Sequence, residues 1–86
     1  MSHSLAREVR DEIQRREGLR ALARECRDLG ISQTRIAASV RPPVDPSLVA
    51  HVFAGRAKSR RVLAAATRLR DAARRRIERV TEKERP

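Results

Sequence analysis

Apolar residues in this chain recur every three or four positions rather than every two, so the pattern predicts helices throughout and no sheet. Residues 4–17, SLAREVRDEIQRRE, place Leu5, Val9 and Ile13 on one narrow stripe among charges. Residues 19–29, LRALARECRDL, carry Leu19, Leu22, Cys26 and Leu29 on a second apolar face. Between them stands Gly18, and glycine inside a helix costs about 1 kcal/mol relative to alanine. Gly18 is therefore either a break between two helices or a weak point in one long helix. Taken as a break, it gives an all-α bundle of about five helices with extended terminal ones.

The next elements are announced by their caps. Gly30 suits the left-handed residue at which helices often end, and Ser32 can cap a new helix with its side-chain oxygen. Ile36, Ala37 and Val40 then share a face until Pro42 and Pro43 stop the helix, lacking backbone donors and restricting the residue before them. Asp45 is a strong N-cap and Pro46 a good first helical residue, so a short helix is expected over about 46–54, burying Val49, Val52 and Phe53 and ending at Gly55. Ser59 caps the last helix, whose stripe runs through Val62, Ala66, Leu69 and Ala73 and less regularly through Ile77 and Val80. TEKERP, residues 81–86, reads as a frayed polar tail.

Composition narrows the picture. Eighty-six residues make one domain, 1–86, near the lower size limit for an unaided core. That core must be aliphatic, because Phe53 is the only aromatic residue. The net charge is +10, and Lys58 and Lys83 are the only lysines among 21 basic residues. Arginine carries a planar fork suited to phosphate and guanine edges, although a GC-rich genome would also favour it. A strongly basic domain points to an anionic polymer or surface. Four cations (Arg56, Lys58, Arg60 and Arg61) crowd the stretch just after Gly55, and 56–76 holds Asp71 as its only acid.

Other chemistry is sparse. Cys26 is the only cysteine, so an internal disulfide is excluded, and its place on an apolar face makes it a small core filler. No apolar run approaches the ~20 residues of a membrane span. The N-terminus lacks a signal peptide's apolar stretch, so a cytoplasmic, nucleoid-associated protein is expected. His3 sits in a terminal segment and is not expected to bind metal. No Gly-rich phosphate loop or metal-ligand spacing is present, so neither enzyme activity, cofactor, metal nor small-molecule ligand is expected.

The centre of the chain reads as helix, turn, helix, with Ala37 as the small residue where two short helices cross and Val44, Val49 and Val52 as their shared core. The stretch LGISQTRIAASV…VDPSLVAHVFAGRAKS resembles the lambda-repressor-like family, the Cro/XRE class of helix-turn-helix regulators of phages and bacteria. The resemblance covers about residues 19–70. Its motifs are Ser32-Gln33, Ile36-Ala37, Asp45-Pro46-Ser47, Val49-Val52-Phe53 and Gly55-Arg56. One departure is the turn RPPV, two residues longer than the family's and with proline in place of glycine.

The resemblance implies a sequence-specific DNA-binding transcriptional regulator, a repressor of phage or mobile-element type, with residues 46–54 in the major groove. It assigns base contacts to Ser47, Leu48, Ala50 and His51. Phosphate contacts fall to Gln33, Thr34, Arg35, Arg56, Lys58, Arg60 and Arg61. Such modules commonly bind double-stranded DNA as symmetric dimers, and the spare apolar positions Leu5, Val9, Ile13, Leu69, Ala73, Ile77 and Val80 would form a homodimer interface or pack the first helix on the last. Each residue also has a plainer use. His51 could be a solvated surface side chain, Gln33 a helix-start residue, and Arg74–Arg76 a solvated face or partners for carboxylates. At the level of the whole chain, a nonspecific nucleic-acid binder or a protein-interaction adaptor remains open.

Overall fold

The computed structural model describes residues 2–84, with side chains from Leu5 to Lys83; the side chain of His3 lies outside that range. Four helices occur, α1 (Ser2–Asp28), α2 (Gln33–Ser39), α3 (Pro46–Phe53) and α4 (Arg60–Glu84), with no strand among the described residues. The expected five helices become four because α1 runs straight through Gly18. Neither proline nor a capping side chain flanks that glycine. Its penalty of about 1 kcal/mol is smaller than the cost of nucleating a second helix, which must fix several residues before its first hydrogen bond. Residues 81–84 of the expected frayed tail are also helical, since α4 continues to Glu84; residues 85–86 lie outside the described residues.

The caps lie where the sequence puts them. Ser32 Oγ accepts the Arg35 N–H at 3.1 Å, Asp45 Oδ1 accepts the Ser47 N–H at 2.9 Å, and Ser59 Oγ accepts the Val62 N–H at 3.3 Å. Gly30 and Gly55, with φ of 76° and 80°, end α1 and α3 in the left-handed conformation. Around each, paired backbone bonds close the helix end: Ile31 N–H to Cys26 O (2.8 Å) and Gly30 N–H to Arg27 O, then Arg56 N–H to His51 O (2.9 Å) and Gly55 N–H to Val52 O. These closures turn the chain sharply enough for α2 and α4 to pack back on the helices before them.

One aliphatic core results, built from Cys26, Ile31, Ile36, Ala37, Val40, Val49, Val52, Val62, Ala65 and Ala66. The longer turn 40–45 is anchored at both ends: Val40 is buried, Val44 is half-buried, and the Val44 N–H donates to Ala37 O at 3.2 Å. Arg68 adds a second tie by donating to Ser39 O at 3.0 Å, which satisfies a carbonyl at the end of α2. Phe53 is only half-buried, at the core's edge. Cys26 is 2% exposed, with its thiol 3.8 Å from Ala66 O. Burial raises its pKa, while Arg70 pulls the other way and Glu25 adds to the rise.

α1 and α4 run in the same sense. Arg15 and Leu19 share a cleft with Arg60 and Leu63, while further along Cys26 meets Ala66 and Glu25 pairs with Arg70 and Arg74. The first half of α1 therefore overhangs one end of the core and the last half of α4 overhangs the other. The radius of gyration, 16.0 Å, exceeds the ~12 Å of a compact chain this long, as two projecting helix ends require.

Candidate nucleic-acid interface

The outward face of α3 follows from its inward one. Val49 and Val52, 0% and 1% exposed, fix the rotation of the helix about its axis. At 100° per residue, Ser47, Ala50, His51 and Ala54 then fall on the opposite side. Ser47 and His51 are exposed, whereas Leu48 and Ala50 are half-buried. Leu48 packs against the core and so is partly committed to the fold. Asp45, whose carboxylate would otherwise lie beside this face, is occupied as the cap of α3. Its pKa is lowered, first by the bond from the Ser47 backbone N–H and then by the Ser47 hydroxyl.

The flanks of α3 are cationic. Gln33, Thr34, Arg35, Arg56, Lys58, Arg60 and Arg61 are all exposed. Gln33 and Thr34, at the start of α2, line an open cleft of about 700 Å³ together with Arg27 and with Phe53 and Ala54 from the end of α3. Arg56, Lys58, Arg60 and Arg61 occupy the turn after α3 and the first residues of α4. The end of α3 thus meets the entry to α2 and leads directly into the cationic α3–α4 turn.

Among the described residues, carboxylate partners go to Arg15, Arg16, Arg70 and Arg74, all on α1 and α4. On the seam between α1 and α4, Arg74 binds both carboxylate oxygens of Glu25, Arg70 Nε lies 3.6 Å from Glu25 and 3.1 Å from Asp71, and on α1 Glu12 takes Arg15 and Arg16. Arg74 thus takes a carboxylate as its partner. Around α3, none of Arg35, Arg56, Lys58, Arg60 and Arg61 has a carboxylate partner among the described residues. Asp45 is the only acid in the whole stretch from Leu29 to Arg70.

The apolar positions set aside for assembly divide. Leu69 and Ala73 are half-buried against the core and so are used within the chain. Leu5, Val9, Ile13, Ile77 and Val80 remain between 51% and 66% exposed. The stripe on the first half of α1 does not pack on the end of α4, because the two overhang opposite ends of the molecule.

Sequence reasoning overlooked Arg27, Glu25 and Arg68. Arg27 joins Gln33 and Thr34 only because the closure at Gly30 folds α2 against the end of α1. Glu25 carried a signal, as the acid beside buried Cys26 on a face turned toward a basic helix. Arg68 carried none, since its acceptor is a backbone carbonyl.

Among the described residues, no three His, Cys, Asp or Glu side chains gather as a metal site, and no helix is long and apolar enough to cross a membrane. No protein-family model, curated protein or solved structure matches the chain.

Proposed function

We propose that this protein is a sequence-specific DNA-binding transcriptional regulator of the lambda-repressor-like kind, a repressor of phage or mobile-element type acting in the cytoplasm. In this reading α2, its turn and α3 form a helix-turn-helix, and α3 enters the major groove with Ser47, Ala50 and His51 toward base edges. Serine and histidine can hydrogen-bond bases, while the Ala50 methyl and the exposed part of Leu48 can meet a thymine methyl. Gln33, Thr34 and Arg35 hold one phosphate strand, and Arg56, Lys58, Arg60 and Arg61 hold the other. Repression needs only occupancy of a promoter, so the reading calls for no catalysis, cofactor or small ligand.

The observation that carries it is the unpaired charge around α3. On α1 and α4, Arg15, Arg16, Arg70 and Arg74 have carboxylate partners; beside α3 none of the cations has one, and the one acid nearby is spent on a cap. Paired cations stabilise a fold, whereas a clustered unpaired set is an electrostatic footprint for a polyanion. A nonspecific binder would share the charge. It would not need a short helix whose polar positions are held outward by two buried valines and a preformed cap.

A single module reads about half a turn of duplex, so the reading includes a homodimer on an inverted repeat. Leu5, Val9, Ile13, Ile77 and Val80 are the apolar positions free to form it. Sedimentation of the full chain and of an Ile13→Glu, Val80→Glu variant tests this part: the wild type sediments as a dimer and the variant as a monomer, and a monomeric wild type removes it. The DNA reading itself is tested by selecting bound sequences from a random duplex pool at about 150 mM salt, where nonspecific affinity has largely collapsed. A single enriched site with two-fold symmetry supports it; bound but unenriched DNA means a nonspecific binder, and no binding even at low salt means an adaptor for an acidic protein.

A further inference from the structure

Arg15, paired with Glu12 on α1, has a second feature. Arg15 lies on α1 at the spacing of the buried stripe, four residues before Leu19, where an apolar side chain would be expected. Its side chain is 35% exposed, one of its terminal nitrogens donates to Glu12 at 3.2 Å, and its Nε–H is buried without a partner among the described residues. Buried donors are nearly always satisfied, so an orphan calls for a reason. Arg15 also lines a cleft of about 380 Å³ with Lys58 and Arg60, over a floor of Leu19, Val52 and Leu63. Three cations from segments more than forty residues apart converge there, and no acid lines the cleft.

We propose that this cleft is a binding site for a phosphate group. Glu12 holds one terminal nitrogen of the Arg15 guanidinium, which leaves the other terminal nitrogen for a ligand, while the buried Nε–H is reached only when the side chain shifts. Lys58 brings a mobile point charge and Arg60 a second fork of donors, and three converging cations ask for more charge than one carboxylate carries. The low, apolar floor strengthens each of these bonds by excluding water from one side. The start of α4 beside the cleft adds the positive end of its dipole. The site stands on the cleft itself and not on the DNA reading; that reading supplies one of two sources for the same chemistry, a backbone phosphate of duplex DNA or free phosphate.

The test is a titration of the full chain, labelled with nitrogen-15, with sodium phosphate against sodium chloride at matched ionic strength. The proposal expects a saturable shift of the Arg15 Nε–H resonance and of the Lys58–Arg61 amides with phosphate alone. Arg15→Ala weakens this binding about tenfold or more, as loss of a charge-assisted bond does. Lys58→Ala, at an exposed position that cannot threaten folding, weakens it as well, and Arg75→Ala leaves it unchanged. Shifts that grow equally with chloride, or wild-type affinity in both cleft variants, overturn the site. With duplex DNA as probe, Arg15→Ala lowers the log–log salt slope by about 0.9 if a backbone phosphate is the occupant; an unchanged slope with lost phosphate binding assigns the cleft to free phosphate. A chain that binds no duplex at all sinks the proposed function and leaves the phosphate titration to decide the cleft.

Discussion

Replacing Val49 by alanine tests the packing that aims α3. Val49, on α3, is fully buried in the core to which α2 and α4 also contribute. The change removes two methyl groups, a transfer loss of about 1.6 kcal/mol at ~0.8 kcal/mol per carbon. Helices pinned by caps on both sides cannot collapse freely into the gap, so a cavity contribution brings the total to about 2–3 kcal/mol. A chain of this length has roughly 4–13 kcal/mol to lose, and at about 4–8 °C per kcal/mol the melting midpoint falls by about 10–20 °C. Urea unfolding followed by far-UV circular dichroism measures the loss. His51→Ala is the control, since an exposed side chain two residues away shifts stability by no more than about 0.5 kcal/mol. Equal losses in the two variants, or a loss under about 0.5 kcal/mol for Val49→Ala, would refute the assignment of inward and outward faces.

Gly18 and Gly30 behave oppositely toward alanine. At Gly18 an added methyl group meets nothing within 4 Å, so Gly18→Ala stabilises by about 1 kcal/mol; at Gly30, with φ of 76°, the same change costs about 1–2 kcal/mol, both read by urea unfolding. Asp45 gives a pH signature. Its lowered pKa means that its stabilising effect is fully present above its ordinary value of 3.8 and is lost as pH falls through the folded value. The stability gap between wild type and Asp45→Ala should be widest near pH 7 and close below about pH 4. Cys26, buried and with its pKa raised, should react with iodoacetamide only as fast as the protein unfolds, and added urea below the transition should accelerate it.

Much of the fold could be read from local chemistry. Ser32, Asp45, Ser59, Gly30 and Gly55 each mark a boundary by a mechanism that acts within four or five residues, and each marks it in the structure. Gly18 misled because its effect is a modest penalty weighed against the cooperativity of a helix, which a residue-by-residue reading does not include. The 81–84 segment misled for a related reason: polar residues look unstructured when judged by burial, yet glutamate and lysine are good helix formers that carry α4 on to Glu84. In the candidate site, the exposure of Ser47 and His51 follows directly from valine spacing. Arg15 and Arg27 could not be placed from the sequence, because their neighbours come from α4 and α2 and depend on how the closures fold those helices back. The division of cations into paired and unpaired sets is likewise a property of three-dimensional proximity.

The central claim is that α3 discriminates between DNA sequences through its outward side chains while the surrounding cations supply affinity. It is tested most directly by measuring the affinities of wild type and His51→Ala for the selected duplex and a scrambled one, each across a salt series. The account predicts that His51→Ala cuts the preference for the selected site by roughly tenfold, the value of about 1–3 kcal/mol for a base contact, with its salt slope unchanged. Full preference retained in both His51→Ala and Ser47→Ala would contradict it.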